Sequence, residues 1–81
     1  MRIQTHFYSY FKDLTGCATV TEELPEGTPV AALLVRLGER FPPLRQADRS
    51  LLIAVGVEYQ DRSYVLRDGD EVSLFPPVQG G

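Results

Sequence analysis

The residues best placed for chemistry sit at the end of the sequence, Pro76-Pro77-Val78-Gln79-Gly80-Gly81. Pro76 and Pro77 cannot continue a sheet ladder and favour an extended, polyproline-like exit. Gly80 and Gly81 carry no side chain, so they fit a narrow channel and let a carboxylate come close to another molecule. The segment 76–81 is therefore expected to be an extended, flexible tail reaching at most about 20 Å from the domain that bears it. A stiff stem with a thin tip suits the delivery of a carboxylate into a partner's active site. Two glycines alone are also what a frayed end looks like.

Other reactive side chains point to plainer roles. Cys17 is expected to be a small, partly buried thiol at the start of a strand. His6 has no paired nucleophile or nearby acid and reads as a surface or hydrogen-bonded histidine. Asp68, Asp70 and Glu71 resemble a cation cluster, but Asp-Gly-Asp between two strands is turn chemistry first. Lys12, the only lysine, reads as a solvated charge. One Cys and one His cannot close a structural zinc site of nitrogen and sulfur ligands, so no metal is expected. No Gly-rich loop precedes a Lys-Ser/Thr pair, so no phosphate loop is expected either.

The elements that must position the tail can be read from hydrophobic periodicity. Ile3 to Tyr8 alternates with period 2, with Ile3, Thr5 and Phe7 toward a core and Gln4, His6 and Tyr8 away from it. Tyr10 to Thr15 suits a turn or two of helix stopped by Gly16. Ala18 to Leu24 is rich in Thr and Val and reads as a second strand forming a hairpin with the first. Pro25-Glu26-Gly27 is a turn.

The clearest helix follows. Thr28 is the expected N-cap and Pro29 the first helical residue. Val30, Leu33, Leu34, Leu37 and Phe41 form its apolar stripe. Gly38 predicts a frayed last turn and Pro42-Pro43 a stop. Leu44 to Ser50 reads as loop. Leu51 to Val57 reads as a central strand covered on both faces, with Gly56 at a bulge or close approach. Glu58 to Tyr64 has room for a short edge strand. Arg67-Asp68-Gly69-Asp70 is a turn, and Glu71 to Phe75 is the last strand, with Val72 and Leu74 inward.

One long helix covers only one face of a sheet. The expected architecture is α+β: a mixed sheet with that helix packed on one face, a β-grasp, over residues 1–75. First and last strands side by side would set Tyr8 next to Phe75 on the open face, with Tyr59 as a candidate third member.

Composition limits the alternatives. The 81 residues, 43% hydrophobic and 23% charged, make one globular domain with a small core. No run approaches the roughly 18 apolar residues of a membrane span. The opening residues lack a signal peptide's apolar stretch. Eight Lys+Arg against eleven Asp+Glu give a net charge of −3 with no basic stripe, which argues against nucleic acid. A single cysteine fits a reducing compartment, so a cytoplasmic location is expected.

The stretch Leu66 to Gly81 closely resembles the end of the small subunit of molybdopterin synthase, the MoaD family, whose "DGDEVxxFPPVxGG" it matches almost letter for letter. Phe11-Lys12-Asp13-Leu14-Thr15-Gly16 falls where that family has a similar "-REL-G". The resemblance implies a ubiquitin-like sulfur carrier. An E1-like enzyme would adenylate the Gly81 carboxylate with ATP. A sulfur donor, such as a cysteine desulfurase or rhodanese-like protein, would convert it to a thiocarboxylate. The tail, Gly80 included, would then enter the large synthase subunit and deliver sulfur to cyclic pyranopterin monophosphate. The chain itself would bind no cofactor, and catalytic groups would lie on the large subunit, in a heterotetramer with two small subunits at opposite ends. The resemblance also implies that Tyr8, Tyr59, Phe75, Pro76, Pro77 and Val78 contact partners. Related carriers for thiamine or tRNA thiolation, or a ubiquitin-like modifier, are the alternatives.

Overall fold

A computed structural model describes residues 1–47 and 50–77. The elements run β1 (Arg2–Phe7), α1 (Phe11–Thr15), β2 (Thr19–Glu23), α2 (Val30–Arg40), a 3-10 helix (Pro42–Ala47), β3 (Leu52–Val55), β4 (Glu58–Tyr59) and β5 (Glu71–Phe75). The strands form one sheet in the order β2-β1-β5-β3-β4, with β1 and β5 parallel and the other neighbours antiparallel. Among the described residues no helix is long and apolar enough to cross a membrane.

Period-2 alternation decides which face is covered. Ile3, Thr5 and Phe7 of β1, Val72 and Leu74 of β5, and Ile53 and Val55 of β3 are all buried. They meet the stripe of α2, where Val30, Leu33, Leu34 and Leu37 are buried too. Phe41 packs edge-on to Phe7, ring centroids 5.8 Å apart. Truncating a side chain in such a layer costs roughly 2–5 kcal/mol, a large part of a small domain's stability. At the edge, β2 places Glu22 inward, and its carboxylate accepts from Arg36 Nε (3.1 Å) and Arg40 Nη1 (2.7 Å). A carboxylate at the core margin is thus paired twice, tying β2 to α2.

Thr5 is the exception in this layer. Its hydroxyl is the one buried side-chain polar atom without a hydrogen bond among the described residues. An unpaired buried hydroxyl carries its full desolvation cost. Thr5→Val is therefore expected to stabilise the protein by about 1 kcal/mol, read as a higher urea midpoint at unchanged slope; a midpoint at or below the parent's would show the hydroxyl to be satisfied.

Five expectations are corrected. Pro29, not Thr28, is the N-cap of α2. The Thr28 hydroxyl donates to Pro25 O instead, closing the preceding turn. The first helix amides are satisfied from far along the chain, Val30 N–H by Tyr64 O and Ala31 N–H by Arg62 O, both at 2.9 Å. The last turn of α2 is not frayed, since Phe41 N–H bonds Leu37 O at 2.7 Å. Gly38 lies against Arg45, whose Cγ would be 3.1 Å from a Cβ at this position.

The expected loop after Pro43 is instead largely the 3-10 helix, anchored by buried Leu44. Finally, β5 rather than β3 is the middle strand. Gly56 is neither bulge nor close approach: it takes φ 62° in the two-residue turn between β3 and β4, and a Cβ there would meet nothing within 4 Å. Conformation, not space, is what the turn requires of Gly56.

Candidate functional site

The sheet face opposite α2 carries the second set of every alternation. Register builds it. The parallel pairing of Phe7 with Leu74 is extended by Tyr8 N–H donating to Leu74 O at 3.1 Å, so Tyr8 falls beside Phe75. Their ring centroids are 5.0 Å apart at 30°. On the other side, Ala54 pairs with both Tyr59 and Ser73, and Leu52 pairs with Phe75. Tyr59 thereby meets Phe75 edge-on, centroids 6.3 Å apart at 66°. Both separations are those of attractive aromatic pairs.

Phe75 is the centre of this cluster and is half-buried by it, while Tyr8 and Tyr59 remain 44% and 71% exposed. The three expected residues are thus brought together. Leu52 and Ala54 join them and were not foreseen. A continuous apolar run, Leu51 to Val57, hides its own phase; the signal was the inward pair Ile53 and Val55, which fixes Leu52 and Ala54 on the opposite face. Pro76 and Pro77 continue from Phe75, half-buried. Val78, Gly80 and Gly81 lie outside the described residues.

The rest of the face is polar. His6 bridges three strands: Nε2 lies 2.8 Å from Glu71 Oε1 and Nδ1 lies 3.1 Å from Thr19 Oγ1. His6 is thus hydrogen-bonded as expected, but the expectation that no acid lies near it is corrected: the parallel pairing of β1 with β5 brings Glu71 to its ring. Asp70 accepts from the Arg67 amide (2.9 Å), which is turn chemistry, while Asp68 accepts from the Arg2 amide (2.8 Å) and ties that turn to the start of β1. Cys17 is half-buried, its thiol directed at Thr15 O (3.7 Å). Asp61 accepts from the hydroxyl and amide of Ser63, and these bonds hold its carboxyl below the usual aspartate value. No group of three metal-ligating side chains occurs among the described residues. What the face offers is an apolar, aromatic surface that ends where the chain leaves the sheet.

A mixed sheet with parallel, adjacent first and last strands and a helix on one face is a ubiquitin-like β-grasp. This one bears an aromatic cluster at the root of its tail segment. The chain belongs to the ThiS family, whose model matches residues 6–81. It is 31% identical over 84 residues to the molybdopterin synthase sulfur carrier subunit of Chlamydomonas reinhardtii, covering all of both chains. Two solved structures share the fold over the whole of both chains. They are SAMP1 from Haloferax volcanii, TM-score 0.88 at 22% identity, and the Helicobacter pylori complex of subunits 1 and 2 of molybdopterin-converting factor, TM-score 0.74 at 24% identity.

Proposed function

We propose that this protein is the sulfur-carrier small subunit of a molybdopterin synthase. The observation that carries the reading is the end-to-end likeness to a sulfur carrier subunit of that enzyme. The final strand supports it, delivering Phe75 into the aromatic cluster and then running directly into Pro76.

The chemistry needs little from the carrier itself. A carboxylate is a poor electrophile, and its oxygen leaves badly. The Gly81 carboxylate attacks the α-phosphate of ATP on an E1-like enzyme, releasing pyrophosphate and forming an acyl-adenylate. The outer sulfur of a cysteine persulfide on a desulfurase or rhodanese-like donor displaces AMP to give an acyl disulfide. A second thiol of the donor system cleaves its S–S bond, ending in a disulfide with the donor cysteine and leaving the thiocarboxylate on Gly81. The tethered sulfur is then presented to cyclic pyranopterin monophosphate on the large subunit. ATP and the catalytic groups belong to the partners; this chain supplies the reacting atom and its positioning. Gly80 and Gly81 pass through the partner's channel. Tyr8, Tyr59 and Phe75, with Pro76, Pro77 and Val78, form the surface both partners hold, in a cytoplasmic heterotetramer with two small subunits at opposite ends.

The test is mass spectrometry of the peptide Asp68 to Gly81, released after Arg67, from protein co-produced with its activating enzyme and a sulfur source. This peptide contains neither Met nor Cys, so a sulfur-for-oxygen shift cannot be mistaken for oxidation. The shift is expected at Gly81. Its absence, with the activating enzyme shown to charge a control carrier, would overturn the reading. If the charged protein feeds thiamine or tRNA thiolation, or forms covalent ladders with other proteins, it is instead a related carrier or modifier.

A further inference from the structure

Ser9 is the only non-glycine residue with positive φ among the described residues, at 56°. Glycine takes this left-handed conformation freely, whereas an L side chain disfavours it. Such outliers persist where the surroundings hold them, and they cluster at functional sites. Ser9 lies at one particular corner. Tyr8 N–H makes the last bond of the β1/β5 ladder, to Leu74 O. Continuing the parallel register would set Ser9 beside Pro76, where the tail leaves the sheet. Instead the chain turns at Ser9 into α1, with Phe11 N–H bonding Tyr8 O and Lys12 N–H bonding Ser9 O, both at 3.2 Å. The reversal strips the tail root of a neighbouring strand on this side. The Ser9 side chain stays exposed, and its hydroxyl makes no hydrogen bond to the described residues. A turn needing only shape would be served by glycine; what serine adds is an exposed hydroxyl one residue beyond the Tyr8–Phe75 pair.

We propose that Ser9 is a specificity contact: its hydroxyl, held at the root of the tail by a disfavoured backbone conformation, hydrogen-bonds the large subunit that receives the tail. The inference rests on the Tyr8–Phe75 face being the docking surface. It is tested by measuring affinity for the purified large subunit, and thermal midpoint, for the parent chain, Ser9→Ala, Ser9→Gly and Phe75→Glu. Ser9→Ala removes the hydroxyl and keeps the strain. Ser9→Gly removes both.

Both Ser9 variants are expected to bind about 5- to 10-fold more weakly, about 1–1.4 kcal/mol. Ser9→Gly is expected at the same time to raise the thermal midpoint by about 4 °C. More stable yet weaker in docking is a combination that a purely structural turn residue would not give. Parent-like binding of Ser9→Ala overturns the proposal. In that case weakened binding of Phe75→Glu leaves the docking face standing, whereas parent-like binding of Phe75→Glu removes that reading too.

Discussion

Deletion of Gly81 is expected to abolish sulfur loading while leaving the fold intact. The carboxylate is the reacting group, and removing one residue withdraws it by about 3.5 Å along an extended chain. A misplacement of about 1 Å at a reacting centre already costs on the order of 100-fold. Loading of the shortened chain should therefore fall by roughly 1,000-fold or more, below detection in the mass spectrum of the terminal peptide. The hydrophobic core is built from residues between Ile3 and Leu74, so the unfolding midpoint should match the parent's. Cys17→Ser is the companion variant. Sulfur that rides on Gly81 needs no internal thiol, so this variant should load like the parent. Full loading of the shortened chain would show that Gly81 is not the required terminus; loss of tail loading in Cys17→Ser would route the sulfur through the thiol.

Much of this site was legible because alternation is a local signal. Ile3, Thr5 and Phe7, and separately Val72 and Leu74, announce which way each strand faces, and from those two phases Tyr8 and Phe75 follow as outward residues. Their adjacency needed one further idea, that first and last strands are neighbours. The parallel register of Phe7 with Leu74 meets that expectation. Where the local sequence misleads, the deciding partner is remote along the chain. Thr28 has the side chain of an N-cap, yet the α2 amides are taken by carbonyls of Arg62 and Tyr64, more than thirty positions away. Leu44 is a single apolar residue in a polar stretch and has no periodicity to read, but it anchors a 3-10 helix. Leu52 lies in a uniformly apolar run, so its outward face shows only once Phe75 is seen opposite it. Ser9 gives no signal at all in sequence, because its φ belongs to the corner between β1 and α1.

The second large effect belongs to Phe75. Binding energy at protein interfaces concentrates in aromatic anchors near the centre of a patch, surrounded by contacts that exclude water. Phe75 holds the central place: Tyr8 and Tyr59 each contact it, and Leu52 pairs with it across the strands. Being half-buried by these neighbours, it is already ordered before a partner arrives, so little further side-chain entropy is lost on docking. Phe75→Glu puts a charge at that centre, where docking would leave it desolvated and unpaired. Affinity for the large subunit is expected to fall more than about 100-fold, or about 3 kcal/mol. Tyr59→Ala, at the more exposed margin, should cost about 10-fold or less. Because the ring lies on the face away from α2, the variant should keep the parent's circular dichroism and cooperative unfolding. The order of effects carries the argument: a loss at Tyr59 equal to that at Phe75 would deny the cluster a centre. A folded Phe75→Glu protein that binds both the large subunit and the activating enzyme like the parent would remove this face from the docking surface altogether.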